Sequence, residues 1–126
     1  LILADTSVWI DHFRSGNTEL LRKLNQGQIV IHPSVVGELA LGSLKDRTRT
    51  LALLDRLPHV RVARLSEIRA LIEGRRLYGL GIGLIDAQLI ASVFISPPAR
   101  LWTTDKQFRK VAESLGIHAP TVGSRG

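Results

Sequence analysis

Short apolar runs alternate with amphipathic stretches along the whole chain. LILA at residues 1–4, QIVIH at 28–32, VRVA at 60–63 and RLWTT at 100–104 are strand-sized, and HAPTV at 118–122 is a weaker fifth candidate. Between them the apolar period lengthens to that of a helix. Asn17 is placed to cap TELLRKLNQ, Pro33 falls in a first turn before VVGELALG, and Asp46 precedes RTRTLALLDRL. Ser66 can cap EIRALIEGRRLYG, where Ile68, Leu71 and Ile72 share one face, and KQFRKVAESLG follows Asp105. Residues 77–99 carry a single charge, Asp86, but Gly79, Gly81, Gly83, Gln88, Pro97 and Pro98 break the run. They predict a buried helix with loops at both ends rather than a membrane span. Strands alternating with helices argue for a parallel sheet covered on both faces, a three-layer α/β/α sandwich of about five strands with helix pairs in two crossovers.

The 126 residues suffice for one domain and are too few for two ordinary ones. The expected domain runs over 1–121, with a loose tail at 122–126. With no cysteine, any metal must be held by oxygen or imidazole. No signal-peptide pattern opens the chain, so a cytoplasmic protein without membrane attachment is expected. Lys and Arg number 17 against 11 acids, a net charge of +6, which favours nucleic acid as a partner. The bases cluster as Lys45, Arg47 and Arg49, as Arg75 and Arg76, and as Lys106, Arg109 and Lys110. Each cluster can serve a phosphate backbone or simply solvate the surface.

Four acids break the apolar pattern. Asp5 closes LILAD, Glu38 lies in VVGELAL, Asp86 interrupts IGLIDAQLIASVFI and Asp105 follows LWTT. Asp5 and Asp105 stand directly after strand candidates, at the carboxyl ends where open α/β sheets build their sites. Asp86 shares a helix face with Leu89, Ile90 and Val93, and Glu38 has Val35 and Leu41 three residues to either side, which places both at the border of the core. Each acid has a plain structural reading: Asp105 as a helix N-cap, Asp5 as the cap of a turn at Thr6 and Ser7, Glu38 and Asp86 as partners of arginines. Those readings do not account for the set. Two carboxylates about 4 Å apart repel by roughly 4 kcal/mol at an effective dielectric near 20, so a shared pocket calls for a cation. An all-oxygen donor set suits Mg²⁺ or Mn²⁺ better than zinc, and the scattered His12, His32, His59 and His118 are read as structural.

DTSVWIDHFR at the start, Glu38 in VVGEL, Asp86 in GIGLIDAQLIA and Asp105 in WTTDKQF together resemble the motifs of the PIN-domain family, in its VapC-type branch of bacterial toxin–antitoxin pairs. The resemblance covers the chain from Leu1 to about Thr121. It implies a metal-dependent endoribonuclease with Asp5, Glu38, Asp86 and Asp105 as its acidic quartet, a supporting hydroxyl at Thr6 or Ser7, a homodimer, and a VapB-type antitoxin that blocks the site. Thr103 and Thr104 are candidates to fix the rotamers of Asp5 or Asp105. One departure stands out: many members carry a further acid or Asn two residues after the last Asp, where this chain has Gln107, which weakens the case for a second tightly held metal.

Two other classes fit some of these features. A receiver-like phosphotransfer domain also places acids at strand ends around Mg²⁺, but it needs an adjacent acid pair after the first strand, and Asp5 is flanked by Ala4 and Thr6. In a non-enzymatic nucleic-acid binding module the acids would serve structure alone. For the nuclease, the basic residues Arg75, Arg76, Lys106, Arg109 and Lys110 are the candidates to hold RNA around an acidic pocket that cannot attract it unaided. Trp9 and Trp102 are read as core residues rather than base-stacking platforms.

Overall fold

The computed structural model describes residues 1–119, so the outer part of the HAPTV candidate, the domain boundary at 121 and the tail at 122–126 lie outside the described residues. Three parallel strands form the sheet in the order β2-β1-β3: β1 is Ile2–Ala4, β2 is Ile29–Val30 and β3 is Arg100–Trp102. β1 is central and wholly buried, with Leu3 opposite both Val30 and Leu101. Beyond each edge one residue adds a single parallel bridge, His59 against Ile31 and His118 against Leu101. The expectation of about five strands is therefore corrected, among the described residues, to three strands with a bridge on either flank. The reason at the first edge is visible in VRVA: Val62 is 56% exposed, and the Arg61 N–H donates to Ser96 Oγ at 3.0 Å instead of to a neighbouring strand.

Seven helices cover the sheet among the described residues: α1 Thr6–Ser15, α2 Thr18–Asn25, α3 Pro33–Leu41, α4 Arg47–Asp55, α5 Leu65–Gly74, α6 Leu84–Phe94 and α7 Lys106–Ser114. α1 is a full helix where the sequence suggests only a capped turn. Its apolar residues wrap around it, with Val8 and Trp9 buried and Ile10 and Phe13 exposed at 43% and 40%, so no single face marks its period. Asn17 caps α2 through Leu20 N at 3.0 Å, and Pro33 opens α3 as expected. Two caps differ. Asp46 makes no side-chain cap bond and sits at φ 51°, and α5 starts at Leu65, where Glu67 Oε1 accepts the Arg64 N–H at 2.8 Å in place of a Ser66 cap.

The core gathers Leu3, Val8, Leu20, Ile31, Val35, Leu89, Ile90, Leu101 and Phe108 between the sheet and its helices. α6 buries Ala87, Leu89, Ile90, Ala91, Ser92 and Val93, which explains its almost uncharged sequence. Trp9 and Trp102 are both buried, as read from the sequence. No helix of the described residues is long and apolar enough to cross a membrane.

Candidate active site

The carboxyl ends of β1 and β3 each deliver an Asp straight into a helix N-terminus. Asp5 follows β1 and caps α1: its Oδ1 accepts Ser7 N at 3.0 Å and the Ser7 hydroxyl at 2.5 Å. Asp105 follows β3 and caps α7 through Phe108 N at 2.9 Å. The capping role and a role in a site are thus not alternatives. A cap aims the carboxylate and surrounds it with N–H dipoles, and two adjacent parallel strands bring both aimed carboxylates to one end of the sheet. The backbone joins them directly, since Asp5 N donates to Trp102 O at 2.9 Å.

The hydroxyl residues between the two strands stitch this end together. Ser7 Oγ lies 3.3 Å from Thr103 Oγ1 and accepts Thr104 N at 3.0 Å, while Thr103 Oγ1 accepts Asp105 N at 3.0 Å. Ser7 and Thr103 therefore hold both aspartates, whereas Thr104 takes part through its backbone N–H. Thr6 serves a different acid from the one beside it: its hydroxyl donates to Glu38 Oε1 at 2.5 Å, tying α1 to α3.

Glu38 and Asp86 arrive from helices and are half-buried. Glu38 borders the core through Val35 and Leu39. Leu41, expected on that face, is 89% exposed because α3 ends there. Asp86 lies in the first turn of α6, where Gly83 N donates to its Oδ2 at 3.3 Å. Ser34 Oγ donates to Gln88 Oε1 at 2.6 Å and braces the helix that carries Glu38 against the helix that carries Asp86. Sequence reading missed this brace, since two uncharged polar residues 54 positions apart give no local signal. Replacing Ser34 with Ala is expected to cost about 1 kcal/mol in urea unfolding, the net worth of one part-buried hydrogen bond.

Two of the four acids are held above the ordinary carboxylate range. Burial pushes the Asp86 carboxyl above the usual carboxylate range, the Gly83 N–H offsets part of that, and the negative charges of Asp5, Asp105 and Glu38 push it further up. Asp86 thus senses the other three at once. Asp5 is also raised, by burial above all, against the lowering effect of Ser7, Thr103 and the α1 backbone. No ion pair with an arginine answers for Glu38 or Asp86 among the described residues. Nor is any group of three His, Asp or Glu side chains there placed to hold an ion directly. The donor set is all oxygen, which fits a small hard cation.

The surrounding surface is mixed. Lys106 and Lys110 are exposed one turn apart on α7, next to Asp105, and Arg109 approaches Glu113 at 3.8 Å. Arg75 and Arg76 are both exposed, and Arg75 lies over the Phe94 ring, 5.0 Å from its centroid. Arg47 donates to Ala40 O and Gly42 O and so caps the end of α3. A cavity of about 320 Å³ opens beside Glu38, lined by Ile10, Phe13, Arg14, Leu39 and Leu44 among others.

Comparison with known proteins places this geometry. The sequence model of the PIN domain matches residues 2–114. Ribonuclease VapC32 of Mycobacterium tuberculosis is 42% identical over 117 residues, spanning 93% of this chain and 94% of that protein. Ribonuclease VapC11 of the same organism and VapC ribonuclease Mb1587 of Mycobacterium bovis are each 28% identical over 130 aligned positions, spanning 94% of this chain and 97% of theirs. With two aspartates capping helices at adjacent strand ends and two further acids closing on them, the chain belongs to the PIN-domain family, in its VapC-type branch.

Proposed function

We propose that this chain is the toxin of a VapBC-type pair, an endoribonuclease that hydrolyses RNA phosphodiester bonds with Mg²⁺, or Mn²⁺ in its place. The observation that carries the reading is the placement of the acids: Asp5 and Asp105 cap helices at adjacent strand ends, Glu38 and Asp86 are half-buried on helices braced to each other, and no ion pair answers for these two among the described residues. The curated relatives are named ribonucleases, which supports the substrate class.

Asp5, Asp86 and Asp105 are the residues to hold the ion, directly or through water. When bound, the ion supplies a lower pKa for an attacking water and neutralises charge on the scissile phosphate. Glu38, steadied by Thr6, orients the water and takes its proton as the oxygen bonds to phosphorus and the bond to the leaving ribose oxygen breaks. Asp5 is held from one side by Ser7, so its position survives the approach of a charged substrate. Arg75, Arg76, Lys106 and Lys110 provide the exposed positive charge to hold RNA, with Arg109 beside the two lysines. A cleft framed by helices suits single-stranded RNA or a loop.

The partners inferred are a second copy of this chain and a VapB-type antitoxin. A basic residue of the antitoxin would enter the quartet in place of the metal, and its apolar residues would cover the surface around Phe13 and Ile10, both substantially exposed beside the Glu38 cavity.

The products test the mechanism. Water as nucleophile leaves the 2′-hydroxyl unused, so fragments should carry no 2′,3′-cyclic phosphate, and a 2′-deoxy nucleotide at the cut should still be cleaved. Cyclic-phosphate ends, or cleavage that needs the 2′-hydroxyl, would sink the water mechanism. Mg²⁺-supported phosphorylation of Asp5 by a small phosphodonor would favour a receiver instead.

A further inference from the structure

The segment between α5 and α6 leads directly into Asp86, and one side chain from another element holds it. Gln107, in the first turn of α7, donates from Nε2 to Leu80 O at 2.6 Å. The approach is close as well as polar: a Cβ built on Gly81 would stand 3.4 Å from Gln107 Cγ. Gly79 and Gly81 on either side of Leu80 have φ of +72° and +78°, so the held carbonyl belongs to a backbone shape that side-chain-bearing residues rarely adopt. Two residues beyond Gly81, Gly83 N donates to Asp86.

We propose that Gln107 is a positioning residue, a strap from α7 that fixes residues 79–83 and through them sets Asp86 against Asp105. The proposal rests on the reading of these acids as a metal site. It assigns the amide a different task from that of an acid at the same position: its Nε2 braces the backbone at Leu80. Asp105 caps α7 and Gln107 lies two residues on, so a single helix start aims one acid and reaches across to the loop that aims another. A carboxylate in the same place could not donate to a carbonyl.

Two variants, Gln107→Ala and Gln107→Glu, test this in the full chain. Gln107 is exposed and neither change disturbs the core, so both should fold. Without metal, amide exchange at Gly81, Ile82 and Gly83 should quicken about fivefold in both variants while β1 stays unchanged, as expected for one lost hydrogen bond. Titrated with Mn²⁺ alone, Gln107→Ala should bind several-fold more weakly, and its KM for RNA should stay within about twofold of that of the parent. Unchanged exchange in both variants overturns the strap. Quickened exchange with unaltered Mn²⁺ binding overturns its role in the site. Tighter Mn²⁺ binding by Gln107→Glu with unchanged exchange would make the position a ligand site instead. If the parent chain binds no Mn²⁺, the metal reading fails and the positioning role falls with it, while exchange still decides whether the strap exists.

Discussion

Replacing Asp5 with Asn is expected to reduce RNA cleavage by about 10²–10³-fold while leaving the fold intact and slightly more stable. The two halves of this result have separate causes. Asn caps a helix about as well as Asp, so its side-chain oxygen can keep the bonds from Ser7 N and the Ser7 hydroxyl that now reach Asp5 Oδ1. What is lost is charge. Asp5 is 6% exposed and burial raises its pKa, so the folded chain at neutral pH holds that charge at a cost, and removing it should add on the order of 1 kcal/mol when no metal is present. Thermal unfolding in EDTA, beside cleavage in Mg²⁺, reads both. A less stable variant would show that Asp5 is chiefly a structural cap, and unchanged cleavage would remove it from the site.

The four acids stand out in the sequence because a carboxylate inside an apolar run is a local signal that needs no knowledge of the fold. Position after a strand or on a helix border followed from period alone, and the parallel order of the sheet then brings Asp5 and Asp105 side by side. What periodicity overstates is the extent of the sheet. VRVA and HAPTV have strand composition, but at the edges pairing depends on neighbours, and among the described residues it shrinks to a single bridge on each side, at His59 just before VRVA and at His118. α1 was hidden for the opposite reason, as its exposed Ile10 and Phe13 mask the helical period. The connections that hold the acids in place were the least legible. Thr6 serves Glu38 across 32 positions and Gln107 reaches Leu80 across 27, links that arise only when the elements pack. Their residue types signal hydrogen bonding but carry no address.

Withdrawing divalent metal with EDTA is expected to reduce cleavage to background, and restoring Mg²⁺ at about a hundred times its Kd should stabilise the chain by roughly 2.7 kcal/mol, or about 10 °C in Tm. The pH dependence of that gain is the more searching test. Asp5 and Asp86 both have folded pKa values raised above the ordinary carboxylate range, chiefly by burial. Between that range and the raised values the folded chain binds more protons than the unfolded one. The contribution of these two acids to metal-free stability is therefore largest at low pH and falls as pH rises through the window. Bound metal reverses the slope, because the ion favours the charged carboxylates that protons would neutralise. His32 and His118, held by burial below the usual imidazole range, act separately: their contribution is lost as acidification protonates the unfolded chain first. That loss is common to the metal-free and metal-bound forms, so the difference between the two stability curves isolates the carboxylates. It should shrink steadily as pH falls through the raised carboxylate values. A Mg²⁺-induced gain that stays constant across that window would mean that the ion binds elsewhere and that the quartet is not its site.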